Sequence, residues 1–276
     1  MNKIINFTKM HSLKNDFIII DLSQNYNLQL SRQQIISLAD RKTGIGCDQL
    51  LILYVQSKEK FHFKIYNANG SEAKQCINGL RCIAKYIASN YHVAIPFSIT
   101  NAAGEYLVTN VKNNEVTLSI PVLSRKITKK NIESECKTYN VDLVNFGNQH
   151  AIVKVTTLNS AKLKKITEKI KSSPSFSDNI NVSIYKIYND YSLESRTLEN
   201  GSGETQACGS SACAIALAHS QTTNINKKSN LEIIQPGGSQ LISFIEDNYL
   251  LVFGKTTNVF KGTINLNYSL ESLLPS

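Results

Sequence analysis

The sequence predicts an α/β (α+β) fold made of two similar halves. Short β-rich runs dominate the chain, helices are few, and one local motif occurs twice. Asn69–Ile87 reads NGSEAKQCINGLRCIAKYI, and Asn200–Ala218 reads NGSGETQACGSSACAIALA. Each copy has Asn-Gly-Ser, an acidic residue, a glutamine, a cysteine, and then a second cysteine that opens an apolar run. A motif that recurs with its surrounding strands indicates two pseudo-symmetric domains.

The β-rich runs are short and are bounded by turn residues. FIIIDL, QLLILYVQ and FHFKIYN precede the first motif, while NVSIYKIY and SLESRTLE precede the second. Asn69-Gly70 and Pro236-Gly237-Gly238 are typical of tight turns between strands. These signals predict several short strands in each half of the chain.

The spacing of apolar residues predicts four helices. Ser31 can cap the first, and the second has one buried stripe. The fourth is apolar nearly all round, so we expect it at the centre of its half. The predicted spans are Ser31–Asp40, Asn78–Asn90, Leu158–Ser172 and Ser210–Ser220.

The order of strands, cysteine and helix repeats along the chain. It predicts one domain at residues 1–120 and another at residues 121–256, joined near Pro121. Each domain would wrap a sheet around one helix. Because ligands bind preferentially at domain interfaces, we expect the active site in the cleft between the two domains.

Composition and charge limit the class of protein. The chain has 276 residues, of which 42% are hydrophobic and 18% charged, as in a globular protein. The net charge of +9 raises the possibility of nucleic-acid binding. However, the densest basic run, Ala161–Ser173, alternates charge with Leu163, Ile166 and Ile170 at helical spacing, which indicates a solvated helix face. We therefore expect no nucleic-acid binding. The N-terminal stretch has no long apolar region with a small-residue cleavage site, and FIII is too short to span a membrane, so we expect a cytoplasmic protein that does not bind membranes.

Six cysteines are present, and none forms a CxxC pair. The spacings 76/82 and 208/213 match no familiar zinc motif, so no metal site is expected. Cysteines of cytosolic proteins are mostly reduced and commonly pack as small hydrophobic residues. This interpretation suits Cys47, Cys82, Cys136 and Cys213.

Cys76 and Cys208 are different, because each is expected at or just before a helix N-terminus. Unpaired N–H groups and the helix dipole there favour negative charge, which would lower the pKa of a thiol. The same N–H groups can hold a substrate carboxylate. Two such sites on pseudo-symmetric halves suggest proton removal by a thiolate on one face of a carbon and proton return by a thiol on the other.

The ordered motifs of the chain resemble those of the diaminopimelate epimerase family over almost the full length. That resemblance implies two domains, each a mainly antiparallel sheet or β-roll around a central helix, with a C-terminal tail of about 257–276 packing back on the first domain. The motifs are HSLKNDF (His11–Phe17), GIGCDQLL (Gly44–Leu51), YNANGSEAKQCINGLRC (Tyr66–Cys82), NFGNQHAIV (Asn145–Val153), NINVSIY (Asn179–Tyr185), LENGSGETQACGSSAC (Leu198–Cys213) and QPGGSQL (Gln235–Leu241).

The resemblance also implies an activity. The family interconverts LL- and meso-2,6-diaminopimelate, in lysine and peptidoglycan biosynthesis, and needs no cofactor. It implies a small amino-acid substrate as the binding partner. Family members are often dimers, so a homodimer is one expected assembly.

The resemblance assigns roles to individual residues. Cys76 and Cys208 match the two catalytic bases, and His150 and Glu199 match polar residues that tune the thiols. Backbone N–H groups at the two helix starts would hold the carboxylate at the reacting carbon, where charge accumulates as the α-proton leaves. These N–H groups belong to Ile77, Asn78, Gly209 and Ser210. The amides that match substrate-binding residues are Asn15, Gln49, Asn67, Asn148 and Asn181.

Three positions depart from the family pattern. Ile77 replaces a glycine after Cys76, and Gln149 replaces a proline. More seriously, Asn200 replaces the arginine of the family's ERGAGET, which pairs with the distal carboxylate of the substrate. Either another cation, such as Arg196 or Arg81, takes over, or the substrate is a different amino acid without a distal carboxylate.

The sequence leaves two other classes of function open. Cys208 and His150 could form a nucleophile–base pair for acyl transfer, although this leaves the second copy of the motif unexplained. A basic scaffold or nucleic-acid-binding protein would predict binding that depends steeply on salt.

Overall fold

The computed structural model divides into two compact units. The first comprises the described parts of Met1–Thr117 and Lys255–Ser276, and the second comprises those of Leu118–Gly254. The structure describes residues 4–57, 59–122, 124, 126–134, 137–223, 230–246 and 248–266.

The elements alternate as the sequence predicts, with many strands and few helices. The elements up to the boundary between the units are β1 (Ile4–Ser12), β2 (Asn15–Asp21), α1 (Arg32–Ala39), β3 (Gln49–Val55), β4 (Phe61–Asn67), β5 (Glu72–Ala73), α2 (Ile77–Asn90), β6 (Phe97–Asn101), β7 (Gly104–Lys112) and β8 (Glu115–Pro121). They are followed by β9 (Thr128–Ser134), β10 (Lys137–Phe146), β11 (Asn148–Lys154), α3 (Ser160–Lys171), β12 (Asn181–Asn189), β13 (Ser192–Glu199), β14 (Gly203–Thr205), α4 (Gly209–Ser220), β15 (Leu231–Gln235), β16 (Gly238–Glu246), β17 (Tyr249–Lys255) and β18 (Thr257–Asn265).

The first unit is a mixed sheet with α2 against it. β1 pairs antiparallel with both β2 and β18, and β2 runs parallel to β3. β4 pairs antiparallel with β3, forms a short hairpin with β5, and runs parallel to β6. Leu80, Ile83 and Ile87 of α2 are buried, which is the apolar stripe that its spacing predicts.

The second unit repeats this order of strands. β10 pairs antiparallel with β11, and β11 runs parallel to β12. β13 pairs antiparallel with β12, forms a short hairpin with β14, and runs parallel to β15. Nearly every residue of α4 is buried, as expected for a helix that is apolar on all sides. The prediction of a strand-rich α/β fold with two pseudo-symmetric halves is confirmed.

The predicted helices are also confirmed, with shifts of one or two residues at their ends. Ser31 caps α1 in a capping box with Gln34. α2 begins at Ile77 and α4 at Gly209, each one residue earlier than predicted. This difference matters, because it makes Cys76 and Cys208 the N-cap residues themselves.

Three of the cysteines that were predicted to be inert are buried. Cys47, Cys82 and Cys213 lie in the core, while Cys136 lies outside the described residues. Burial raises the pKa of Cys47 to about 12 and raises the pKa of Cys82 even further. Both thiols therefore behave as small apolar groups. In the described part of the chain, no helix is both long and apolar enough to cross a membrane.

Replacing Gly44 by alanine should destabilise the fold. A Cβ atom at Gly44 would lie 2.0 Å from the carbonyl oxygen of Ser37 and 2.9 Å from that of Leu38, and neither backbone atom can move without disturbing the end of α1. We expect a loss of about 2 kcal/mol or more, measured by urea unfolding.

Gly79→Ala is the matched control. The three atoms nearest to its Cβ would be side-chain atoms of Leu51 and Phe17, at 3.3–3.4 Å, and alanine favours a helix over glycine by about 1 kcal/mol. We expect little net change. Equal destabilisation by the two substitutions would contradict the steric account of Gly44.

Candidate active site

Cys76 is the N-cap residue of α2, and its sulfur takes part in hydrogen bonds with Gly79 and Asn15. Its backbone is extended (φ −151°, ψ 107°), and its sulfur accepts a hydrogen bond from the N–H of Gly79 at 3.4 Å. The thiol also lies 3.8 Å from Oδ1 of Asn15, to which it can donate. Cys76 is partly exposed, so it is open to a ligand.

Asn15 connects Cys76 with the rest of the first unit. Its Oδ1 also accepts from Nδ2 of Asn78 at 3.2 Å, and its Nδ2 donates to Asp48 at 2.9 Å. Arg81, with 0% exposure, donates to the side chains of Asn78 and Ser12. The predicted amide of Asn15 therefore contacts both Cys76 and the side chain of Asn78, and a buried guanidinium positions Asn78.

Asp48, which accepts a hydrogen bond from Asn15, belongs to a cluster of ion pairs. Lys9 and Arg41 both bind the carboxylate of Asp16, and Arg41 also binds Asp48. Burial alone would raise the pKa of Asp16, but hydrogen bonds from Arg41 and Lys9 hold that pKa well below its usual range. Asp48 belongs to the GIGCDQLL motif, but its contact with Asn15 spans 33 positions and has no local signal.

Gln49 and Asn67 face each other across β3 and β4. Nε2 of Gln49 donates to Oδ1 of Asn67 at 2.9 Å, and Asn67 donates to Oγ of Ser71 at 3.0 Å. Among the described residues, the buried Oε1 of Gln49 has no hydrogen-bond partner. An unsatisfied buried acceptor is destabilising by about 1–3 kcal/mol, so this oxygen is suited to accept from a ligand.

Cys208 occupies the equivalent place in the second unit, but it is held differently. Its backbone N–H donates to Oε1 of Gln235 at 3.2 Å, and Nε2 of Gln235 donates back to its carbonyl oxygen at 3.4 Å. Gln240 donates to the same Oε1 of Gln235 at 2.9 Å. Both glutamines lie in the QPGGSQL motif, for which sequence reasoning found no role.

The thiol of Cys208 is neutral, which corrects the expectation that both helix starts lower the pKa of their cysteine. Cys208 is only 4% exposed, and its pKa is raised well above the usual value, mainly by burial and then by the negative charge of Glu199. Hydrogen bonds from Ser210 and from the backbone of Ser211 oppose this rise but do not overcome it. Burial and a nearby carboxylate thus outweigh the helix dipole.

Glu199 has a neutral counterpart in the first unit. It is the last residue of β13 and accepts from Oγ1 of Thr205 at 2.7 Å. Thr205 and Ala73 each lie three residues before the cysteine of their unit. In the hairpins, Thr205 pairs with Thr197 and Ala73 pairs with Ile65, so Thr197 and Ile65 are equivalent positions. Glu199 therefore corresponds to Asn67 of the first unit, and the two cysteines have different electrostatic surroundings.

His150 and Asn181 are neighbours on the parallel strands β11 and β12. His150 is fully buried, and burial lowers its pKa to about 4, so the ring is neutral. Neither ring nitrogen has a hydrogen-bond partner among the described residues. The imidazole–thiol bond that an acyl-transfer pair with Cys208 needs is therefore absent from this part of the structure, which disfavours that reading.

The remaining predicted amides lie at strand ends of the second unit. Asn148 begins β11, two residues before His150, and its side chain is exposed. Oδ1 of Asn181 accepts from the backbone N–H of Asn200 at 2.9 Å, and Nδ2 of Asn200 donates to Oδ1 of Asn179 at 3.1 Å. Asn200 is thus part of an amide cluster beside Glu199.

The two helix starts offer backbone donors. The first intrahelical bonds run from Leu80 to Cys76 (2.8 Å) and from Ala212 to Cys208 (3.1 Å). The N–H groups of the first turn of a helix point beyond the helix end. Ile77 lies inside α2 and is not among the described residues with positive φ, so its replacement of glycine leaves its N–H in place. The predicted donors Ile77, Asn78, Gly209 and Ser210 all lie in these first turns.

Comparison with known proteins agrees with this arrangement. The family model for diaminopimelate epimerase matches residues 7–122 and 143–259. The chain is 32% identical over 279 residues to the diaminopimelate epimerase of Psychrobacter sp., covering 95% of each chain. It is 33% identical over 277 residues to that of Legionella pneumophila (strain Corby), covering 94% of this chain and 99% of the relative.

Solved structures with the same fold are more distant in sequence. A hydroxyproline epimerase from Agrobacterium vitis aligns with a TM-score of 0.69 at 12% identity, over 96% of this chain and 93% of its own. A Bacillus anthracis phenazine biosynthesis protein of the PhzF family aligns with a TM-score of 0.67 at 14% identity, over 95% and 99%.

Together with the fold and the paired helix starts, these comparisons define an isomerase of the epimerase and racemase class. The chain belongs to the diaminopimelate epimerase family.

Glu199→Gln should lower the pKa of the Cys208 thiol. The substitution removes a negative charge that raises this pKa, while burial, the larger cause, remains. At a given alkaline pH the thiolate fraction of Cys208 should therefore increase. The pH dependence of iodoacetamide labelling, resolved for Cys208 by mass spectrometry, measures the change.

Glu204→Gln is the control for Glu199→Gln, because Glu204 pairs with Arg196. This variant should leave the labelling profile of Cys208 unchanged. A Glu199→Gln profile that is unchanged, or shifted to higher pH, would show that the carboxylate does not control this thiol.

Proposed function

We propose that this protein epimerises LL-2,6-diaminopimelate to meso-diaminopimelate by two-base proton transfer between Cys76 and Cys208. The main support for the proposal is that each unit places one cysteine at the N-cap of a buried helix. In both units this cysteine comes after the same order of strands and after a short hairpin. The family match and the names of the relatives supply the substrate.

The electrostatic difference between the units suggests a starting proton distribution. Cys208, with its raised pKa, begins as the thiol. We assign the starting thiolate, which removes the α-proton, to Cys76, since the residue of the first unit that corresponds to Glu199 is the uncharged Asn67. Cys208 then gives its proton to the opposite face of the α-carbon. Cys76 ends as the thiol and Cys208 as the thiolate, and the reverse reaction restores the first state.

The helix starts would stabilise the intermediate of this reaction. Removing the α-proton moves negative charge onto the substrate α-carboxylate. The backbone N–H groups of Ile77, Asn78, Gly209 and Ser210 are proposed to hold that carboxylate, and one preorganised donor of this kind contributes about 3–4 kcal/mol in other enzymes. No redox step is needed, because one proton leaves and one returns.

Polar side chains would orient the rest of the substrate. Oε1 of Gln49, which is buried and without a partner among the described residues, is suited to accept from a substrate ammonium group. The neutral imidazole of His150 is proposed to lie beside the reacting groups as a polar neighbour that does not carry charge at neutral pH. Asn15 contacts Cys76 directly through Oδ1 and would accept a hydrogen bond from its thiol once Cys76 has taken the α-proton.

Asn200 favours a second candidate. A neutral amide replaces the arginine that the family resemblance expects, so the substrate could be an amino acid without a distal carboxylate. Comparing kcat/KM for LL-diaminopimelate with that for a panel of L-amino acids separates the two candidates.

Replacing either working cysteine should abolish epimerisation. In Cys76→Ala and Cys208→Ala, one of the two proton-transfer groups is missing, so we expect kcat to fall by about 100-fold or more. Conversion of LL- to meso-diaminopimelate, resolved by chiral chromatography, measures this loss.

Cys82→Ala and Cys213→Ala are matched controls, since both cysteines lie in the buried faces of the same helices. They should keep kcat within a few-fold of wild type. Full activity in both Cys76→Ala and Cys208→Ala would rule out the two-thiol mechanism.

A further inference from the structure

A cation lies next to the amide that departs from the family pattern. Nζ of Lys171, the last residue of α3, donates to Oδ1 of Asn200 at 3.3 Å. Lys171 and Asn200 are 29 positions apart, so no local pattern predicts the contact. Both side chains are exposed, which leaves them open to a ligand.

The surroundings of Asn200 form a cluster of hydrogen-bonding groups. Its Nδ2 donates to Asn179, and its backbone N–H donates to Asn181, which is only 6% exposed. Glu199, which immediately precedes Asn200, raises the pKa of the Cys208 thiol and bonds to it, so this cluster adjoins the proposed catalytic group. Lys171 therefore brings positive charge to the edge of the proposed substrate site.

The two cations suggested by sequence are engaged elsewhere. Arg196 donates to the carboxylate of Glu204 at 2.5 Å and to Ser160 at 3.1 Å. Arg81 is fully buried in the first unit, where it binds Asn78 and Ser12. By contrast, Lys171 donates to the neutral amide of Asn200, which does not neutralise its charge.

We propose that Lys171, together with Asn200, binds the distal carboxylate of the substrate and so sets the preference for a dicarboxylic diamino acid. The inference rests on the proposed function. An ammonium group has three N–H donors, so Lys171 can keep its bond to Asn200 while it donates to a carboxylate oxygen. Asn200 can turn its own N–H donors toward the same carboxylate. A lysine and an amide thus replace the planar guanidinium group of an arginine, and the positive charge is carried by the compact ammonium group of the lysine.

Steady-state kinetics of Lys171 variants test the inference. L-Lysine is a suitable probe, because it equals LL-diaminopimelate without the distal carboxylate. Lys171→Gln should raise KM for LL-diaminopimelate about tenfold or more, with a smaller effect on kcat, since the distal contact is made in both the ground and transition states. The inhibition constant of L-lysine as a competitor should not change. Lys171→Arg should retain most of the affinity.

Lys169→Gln is the matched control. Lys169 is exposed and lies in the same last turn of α3, so its loss has the same effect on the helix dipole. It should leave both constants unchanged. An equal weakening of diaminopimelate and L-lysine by Lys171→Gln would indicate a structural role and overturn the inference, as would an unchanged KM.

The wild-type protein distinguishes failure of the proposed function from failure of the proposed role of Lys171. Wild-type protein that turns over another amino acid but not LL-diaminopimelate would refute both proposals. Wild-type protein that epimerises LL-diaminopimelate while Lys171→Gln behaves like Lys169→Gln would refute only the role of Lys171.

Discussion

Both halves of the protein depend on one constraint: the cysteine that follows a short β-hairpin is also the N-cap residue of a buried helix. The first turn of any helix has N–H groups without intrahelical acceptors, and these groups need a partner. Because α4 is buried along nearly its whole length, its packing fixes where those donors point. The same holds for α2, whose first residues are buried. The N–H groups of a helix start and a thiol are therefore supplied by the same few residues in each half.

The two halves share a backbone plan but differ in the groups that hold and charge the thiol. Asn15 contacts the sulfur of Cys76, whereas Gln235 binds the backbone of Cys208. The carboxylate of Glu199 corresponds to the amide of Asn67. The same backbone plan thus yields two cysteines with different electrostatic surroundings.

Local patterns were sufficient to predict the fold class, the four helices and the buried state of Cys47, Cys82 and Cys213. Each of these depends on periodicity or on residues close in the chain. The pKa of Cys208 was predicted wrongly, because the helix start is visible in sequence while the burial of the thiol and its contact with Glu199 are not. The contacts of Arg81 with Ser12 and of Lys171 with Asn200 could not be predicted for a related reason. Their partners, Ser12 and Asn200, lie far away in sequence.

The isotope content of early product and residual substrate tests the two-base mechanism most directly. In D₂O, LL-diaminopimelate is converted to a small extent and both isomers are analysed by mass spectrometry. If one thiolate removes the proton and a second, solvent-equilibrated thiol delivers another, meso product will carry one deuterium while residual LL substrate stays almost unlabelled. Residual substrate labelled as fast as product forms, or product that keeps its original proton, would contradict the assignment of two separate bases.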